Sequence, residues 1–181
     1  ALKLFLSKLP LTYDFWRRIG LFRHGNMDDP SIAINTFNKY YKKALKYGDL
    51  PPNFNCLELG PGDSIISGIA ARYNGARFAW LVDAGSFSAI DIDTINNVII
   101  SLNKNKDKLP LISNDTTTKE SLKTLQIAYL TNGTDSLKKI ADSSVDFFWS
   151  QVVLEHVPRN EFNEFFKQLR RIVKPNGIGV H

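Results

Sequence analysis

Cysteine is almost missing from this chain. Cys56 is the only one in 181 residues, so no intramolecular disulfide can form and a hydrophobic core must hold the fold. That scarcity fits a reducing compartment, and a cytoplasmic location is expected. Cys56 itself lies inside an apolar run, where a buried structural thiol is expected. A long apolar run is also missing. None approaches the roughly 18 residues that a membrane span needs, and the apolar opening is broken by Lys3 and Lys8, which argues against a signal peptide. No internal repeat is visible. Neither charge sign dominates: 23 Lys+Arg against 18 Asp+Glu leave a net +5, which tolerates an anionic partner without demanding one. Met27 is the single methionine, the chain begins at Ala1, and it stops at His181 within a strand-like stretch. Strands rarely end a domain unpaired, so a fragment of a longer domain is expected.

What is present suits a globular protein: 43% of residues are apolar and 12% aromatic, enough for a sizeable core in one domain. Residues 1–50 are helical in pattern and end at Pro51-Pro52, a natural break. They are expected to form a lid or extension, with Trp16, Phe22, His24 and Met27 as candidate lining. The stretch KYYKKALKY at 39–47 concentrates positive charge among tyrosines. It reads either as a nucleic-acid patch or as a solvated helix face with buried tyrosines, and the second is expected.

From Phe54 onward the rhythm becomes strand, turn, helix. Strands are expected at 54–59, 76–85, 126–133 and 144–150, and a fifth begins at Ile178. Helices are expected at 64–73, at 90–102, up to Leu125 behind a polar cap, and behind Asn160, where Phe162, Phe165, Phe166, Leu169 and Ile172 form one stripe. Alternating strands and helices build an α/β, doubly wound, mostly parallel sheet of Rossmann-like type. Such a sheet binds ligands at the carboxyl ends of its strands, where strand order reverses.

The sequence NCLELGPGDS at 55–64 carries the chemistry. An apolar strand ends in Gly60-Pro61-Gly62, the turn that lets a ligand approach the backbone. A dinucleotide site wants a third glycine, but Ile65 holds that place, and no Gly-Lys-Ser/Thr follows to make a Walker loop. Glu58 points away from phosphates altogether, since a carboxylate at the mouth of the cradle repels them. It attracts an ammonium or sulfonium instead. S-adenosylmethionine carries both and has no phosphate. Asp83 falls 23 residues after Gly60, at the expected end of the second strand, where a carboxylate can accept the ribose hydroxyls. A turn cap is the alternative role for Asp83.

These residues resemble the class I S-adenosylmethionine-dependent methyltransferases, nearest to the methyltransferase type 11 set. LELGPGD is similar to the first motif and WLVDAG to the acidic second-strand end. SVDFFWSQVVLEHVP and LRRIVKPNGIGVH resemble the fourth strand and the entry to the fifth. The likeness covers roughly residues 51–181, the expected cofactor domain, truncated at the fifth strand. It implies that Gly60, Pro61, Gly62, Asp83 and Ala84 contact the cofactor with Glu58. It also implies Asn132 and Gly133 at the adenine, where the family often has an acidic residue, and Ser150 and Gln151 at the methionine end. His156, beyond the fourth strand, is implied as a general base for a hydroxyl acceptor, or else as a turn cap. No metal is implied. The expected reaction is methyl transfer to an oxygen or nitrogen of a small-molecule or glycan-like acceptor. An inactive relative or a basic RNA-binding module is the alternative.

Overall fold

The computed structural model describes residues 29–88, 91–104 and 106–181; Trp16, Phe22, His24 and Met27 lie outside them. Helix α1, Pro30–Tyr47, opens with Asp29 as its cap, accepting from the Ser31 N–H at 2.8 Å. Pro30 occupies the first turn, where its missing N–H costs nothing. Ala33, Phe37, Tyr40 and Ala44 recur at helical spacing and are all buried. The chain then alternates β1 (Asn55–Leu59), α2 (Ile66–Tyr73), β2 (Phe78–Val82), α3 (Ile92–Asn103), α4 (Thr118–Thr124), β3 (Ile127–Leu130), α5 (Gly133–Leu137), β4 (Val145–Ser150), α6 (Phe162–Ile172) and β5 (Val173–Val180). A single 3-10 turn, Leu154–His156, follows β4.

The five strands lie in the order β3-β2-β1-β4-β5, and every pairing is parallel. The chain winds outward from β1 to β3, then crosses back to place β4 on the other flank of β1. The reversal therefore falls between β1 and β4, the position where this kind of sheet opens a ligand crevice. The expected α/β doubly wound sheet is present, and all-parallel rather than mostly so among the described residues.

Strand parity sorts the core into two layers. Cys56, Ala79, Leu81, Ile127, Phe147 and Trp149 face α1, α2 and α3, whereas Leu57, Leu59, Val82 and Val145 face α5 and α6. Helix α1 belongs to the first layer: the Phe37 ring meets Trp149 edge-on at 5.3 Å, and Tyr41 stacks on Phe54 at 5.7 Å. Cys56 is a buried free thiol, as its apolar neighbours imply.

Three local expectations change. Helix α6 is capped at Glu161, with no side-chain hydrogen bond, rather than at Asn160. The last strand begins at Val173 rather than at Ile178, so the KPNG segment at 174–177 lies within it. It forms an irregularity inside that strand: Val145 pairs with Val173, but Phe147 pairs with Ile178, so the extra residues on β5 bulge outward. The expected strand to residue 133 stops at Leu130, and Gly133 opens α5 instead. The Gly133 φ of +50° is a left-handed conformation that glycine adopts without steric cost.

Candidate functional site

The turn after β1 is built by glycine conformations. Gly60 and Gly62 have φ of +70° and +66°, a region in which a side chain clashes with its own carbonyl. The Gly60 N–H donates to the Val82 carbonyl at 2.8 Å, and the Gly62 N–H donates to Asp83 Oδ2 at 2.9 Å. Asp83 Oδ1 accepts from the Ala84 N–H at 2.7 Å. The Asp83 carbonyl accepts from the Gly133 N–H at 2.8 Å, and the Asp83 N–H donates to Leu130 at 2.9 Å. Asp83 thus joins the carboxyl ends of β1, β2 and β3 into one rim. The fold brings Gly60, Pro61, Gly62, Asp83, Ala84, Asn132 and Gly133 together there. Asn132 and Ala84 are exposed, whereas Pro61 and Gly62 are buried.

The Ser64 hydroxyl accepts the Ile66 N–H, the first backbone donor of α2, at 3.1 Å. A hydroxyl at that place satisfies a helix-end donor that glycine would leave open.

Glu58 sits below the rim, not on it. It shares the parity of Cys56, so its side chain enters the α1–α2 layer and is 4% exposed. Oε2 accepts from the Ser67 hydroxyl of α2, and Oε1 accepts from Trp149 Nε1 of β4 at 3.1 Å. Burial pushes the carboxyl up to about 7, against the lowering effect of those two bonds. The carboxylate is the joint between β1, β4 and α2 directly beneath the reversal point. Neither Ser67 nor Trp149 was singled out in the sequence. Pairing of Glu58 with Trp149 across the strands is what relates them, and register is set by tertiary packing that spacing does not reveal.

Beyond β4 the site changes character. Ser150 is buried and its Oγ lies 2.6 Å from His181 Nδ1 at the end of β5. The His181 ring packs edge-on against Phe148 at 5.4 Å, and burial lowers its proton affinity. Gln151 is exposed. Val152 holds φ +56° while 65% exposed, a strained conformation for a β-branched residue. This kink turns Val153 inward, so that a side-chain carbon on Gly60 would collide with Val153 Cγ2. His156, on the following 3-10 turn, is 69% exposed, and its Nε2 lies 3.6 Å from Glu155 Oε1. Val153 thus closely overlies the glycine turn, while His156 stands exposed on the 3-10 turn. Among the described residues there is no metal-binding cluster and no helix long and apolar enough to cross a membrane.

A family model described as a methyltransferase domain matches residues 57–180. No match was found among curated proteins. Among solved structures, the chain is similar to a Galdieria sulphuraria protein provisionally assigned as a sarcosine dimethylglycine methyltransferase. The TM-score is 0.51 at 17% identity, covering 87% of this chain and 50% of that one. It is also similar to phosphoethanolamine N-methyltransferase 2 of Haemonchus contortus, solved with phosphomonomethylethanolamine and S-adenosylhomocysteine. There the TM-score is 0.51 at 14% identity, covering 94% of this chain and 35% of that one. The chain therefore spans half or less of the length of these two structures, and at such identity the likeness is one of fold.

Proposed function

The chain belongs to the methyltransferase-domain family matched over residues 57–180, and from that premise we propose that it binds S-adenosylmethionine and transfers its methyl group to a small-molecule oxygen or nitrogen nucleophile. The bond from the Gly62 amide to the Asp83 carboxylate carries this reading. It ties the glycine turn to the acid at the next strand's end, and these are the two elements such a cofactor needs at its ribose.

The residues present fit the group. A carboxylate oxygen accepts more than one hydrogen bond, so the bonds to Gly62 and Ala84 leave Asp83 chemically able to take ribose hydroxyls. Gly60 and Gly62 add no side chain to the turn, and no basic side chain that would call for a phosphate is among the rim residues described above. When bound, the cofactor supplies an electrophilic methyl carbon on a sulfonium that leaves as a neutral thioether. The chain's task is placement, worth up to about 7–11 kcal/mol of barrier. Asn132 and Gly133 take the adenine side, Ser150 and Gln151 the methionine side. Glu58 holds the floor from beneath, through its bonds to Ser67 and Trp149. For a hydroxyl acceptor His156 serves as the base, which adds about 10²–10⁴-fold; an amine acceptor needs none. The cofactor domain lies at 51–181, with α1 packed into its first core layer.

Calorimetric titration with S-adenosylhomocysteine, beside NAD and an Asp83→Ala variant, tests the reading. Micromolar binding of the thioether, no binding of NAD, and a loss of at least about 2 kcal/mol in the variant are expected for charge-assisted contacts. A folded protein that ignores S-adenosylhomocysteine ends the proposal.

A further inference from the structure

The hydroxyl of Tyr129 uses its hydrogen-bonding capacity on one loop. It accepts from the Phe87 N–H at 3.0 Å and from the Ser88 N–H at 3.4 Å, and it donates to the Gly85 carbonyl at 3.2 Å. Tyr129 lies on β3, paired in register with Leu81 of β2. The loop it holds, residues 84–88, leaves β2 directly after Asp83. The Phe87 ring folds back onto Gly85 so closely that a side-chain carbon there would meet the ring at 2.7 Å. A hydroxyl that gathers three backbone groups of five consecutive residues closes that segment into a small ring. Without it, those groups would turn to water and the segment would regain the freedom that ordering removed.

The loop's place in the sheet suggests what it is held for. Asp83 stands on β2, the glycine turn lies toward β1 and β4, and the opposite flank belongs to β3. A nucleoside whose ribose sits on Asp83 and whose amino-acid tail runs toward β4 must send its base the other way. There it meets residues 84–88 on one side and the Asn132–Gly133 turn on the other, where Gly133 approaches Ala84 Cα closely enough that an added carbon would sit at 3.8 Å. Phe87, half-buried, is the one aromatic side chain among residues 84–88.

Resting on the methyltransferase reading above, we propose that Tyr129 is a positioning residue that sets the Phe87-bearing loop as the wall for the purine base, so that the chain discriminates an adenosyl group from a bare ribosyl thioether. Tyr129 touches no ligand in this arrangement. It acts through the loop.

The test compares two ligands in calorimetry on the full chain: S-adenosylhomocysteine, and S-ribosylhomocysteine, which keeps the ribose and tail but lacks the base. Tyr129→Phe retains the ring and removes only the hydroxyl. It is expected to weaken S-adenosylhomocysteine about tenfold, as the loss of loop-ordering hydrogen bonds predicts, while S-ribosylhomocysteine stays within about twofold. Phe87→Ala, which leaves every Tyr129 contact to the backbone possible, should show the same selective loss. Equal weakening of both ligands by Tyr129→Phe would mean general structural damage and overturn the inference. So would unchanged affinity for S-adenosylhomocysteine in either variant. If the unaltered chain binds neither ligand, the methyltransferase reading fails and takes this inference with it, a result read on the wild type rather than the variants.

Discussion

A buried carboxylate with a raised proton affinity makes stability depend on pH, and Glu58 is the residue where that dependence concentrates. Its folded-state value of about 7 lies above the usual 4.5. The stability gained from the protonated form is therefore complete below about pH 4.5 and is lost as pH rises through about 7, to the extent of roughly 3 kcal/mol. Glu58→Gln keeps an oxygen to accept from Trp149 and offers the Ser67 hydroxyl an amide N–H in place of the oxygen it donated to, so it should flatten that slope. Urea midpoints at about pH 5 and pH 8 measure it; a slope equally steep in the glutamine variant would place the titration elsewhere. Gly60 gives a second expectation at this scale. Gly60→Ala combines a φ of +70° with a collision against Val153 Cγ2, and a loss of about 2–4 kcal/mol is expected. Adding Val153→Ala should recover the collision but not the backbone strain, so a cycle that shows no coupling would remove Val153 from the site. The glycines and Asp83 were legible in the sequence because spacing alone expresses them. The roles of Ser67, Trp149 and Val153 were not, because each depends on which strands and loops become neighbours.

At the scale of elements, α1 carries the clearest consequence. A helix ending at Pro51-Pro52 reads as an appendage, yet its apolar face closes the first core layer, with Phe37 fully buried between Tyr41 and Trp149. Phe37→Ala should cost about 3–5 kcal/mol, as for other buried aromatic truncations. A loss under about 1 kcal/mol in thermal or urea unfolding would mean that α1 is only loosely attached. The amphipathic stripe of α6 was legible from its period, although only Phe165, Leu169 and Ile172 are buried while Phe162 and Phe166 remain more than a third exposed. Periodicity gives a face and not its depth. The short α5 escaped for a related reason: five residues are too few to express a helical period. The bulge at KPNG escaped because turn residues signal a break without saying whether the strand resumes across it.

For the whole molecule, strand–helix alternation was enough to anticipate a doubly wound parallel sheet, since parallel strands need crossovers and crossovers have one hand. It could not say which flank of β1 each strand would take, and that order is what sets the crevice. Net charge is the other whole-molecule property with a consequence. A chain of net +5 invites an RNA-binding reading centred on α1, whose lysines at 39, 42, 43 and 46 are exposed. The aromatic partners it needs are mostly committed elsewhere. Tyr40 is buried, Tyr41 is stacked on Phe37 and Phe54, and only Tyr47 stands out, 76% exposed with Lys46 Nζ 5.1 Å from its ring centroid. Salt separates the two readings. S-adenosylhomocysteine carries one ammonium and one carboxylate, so its binding displaces almost no counterions, and its affinity should change by less than about twofold between roughly 50 and 300 mM salt. Single-stranded RNA held by four lysines would instead lose affinity with a log–log slope near −3. Calorimetry at the two ionic strengths, with an unstructured oligonucleotide beside the thioether, reads both. Flat thioether binding with negligible oligonucleotide affinity at the higher salt keeps the basic helix as a solvated face, whereas a steep slope abolished by lysine-to-glutamine changes on α1 would make that helix the binding surface.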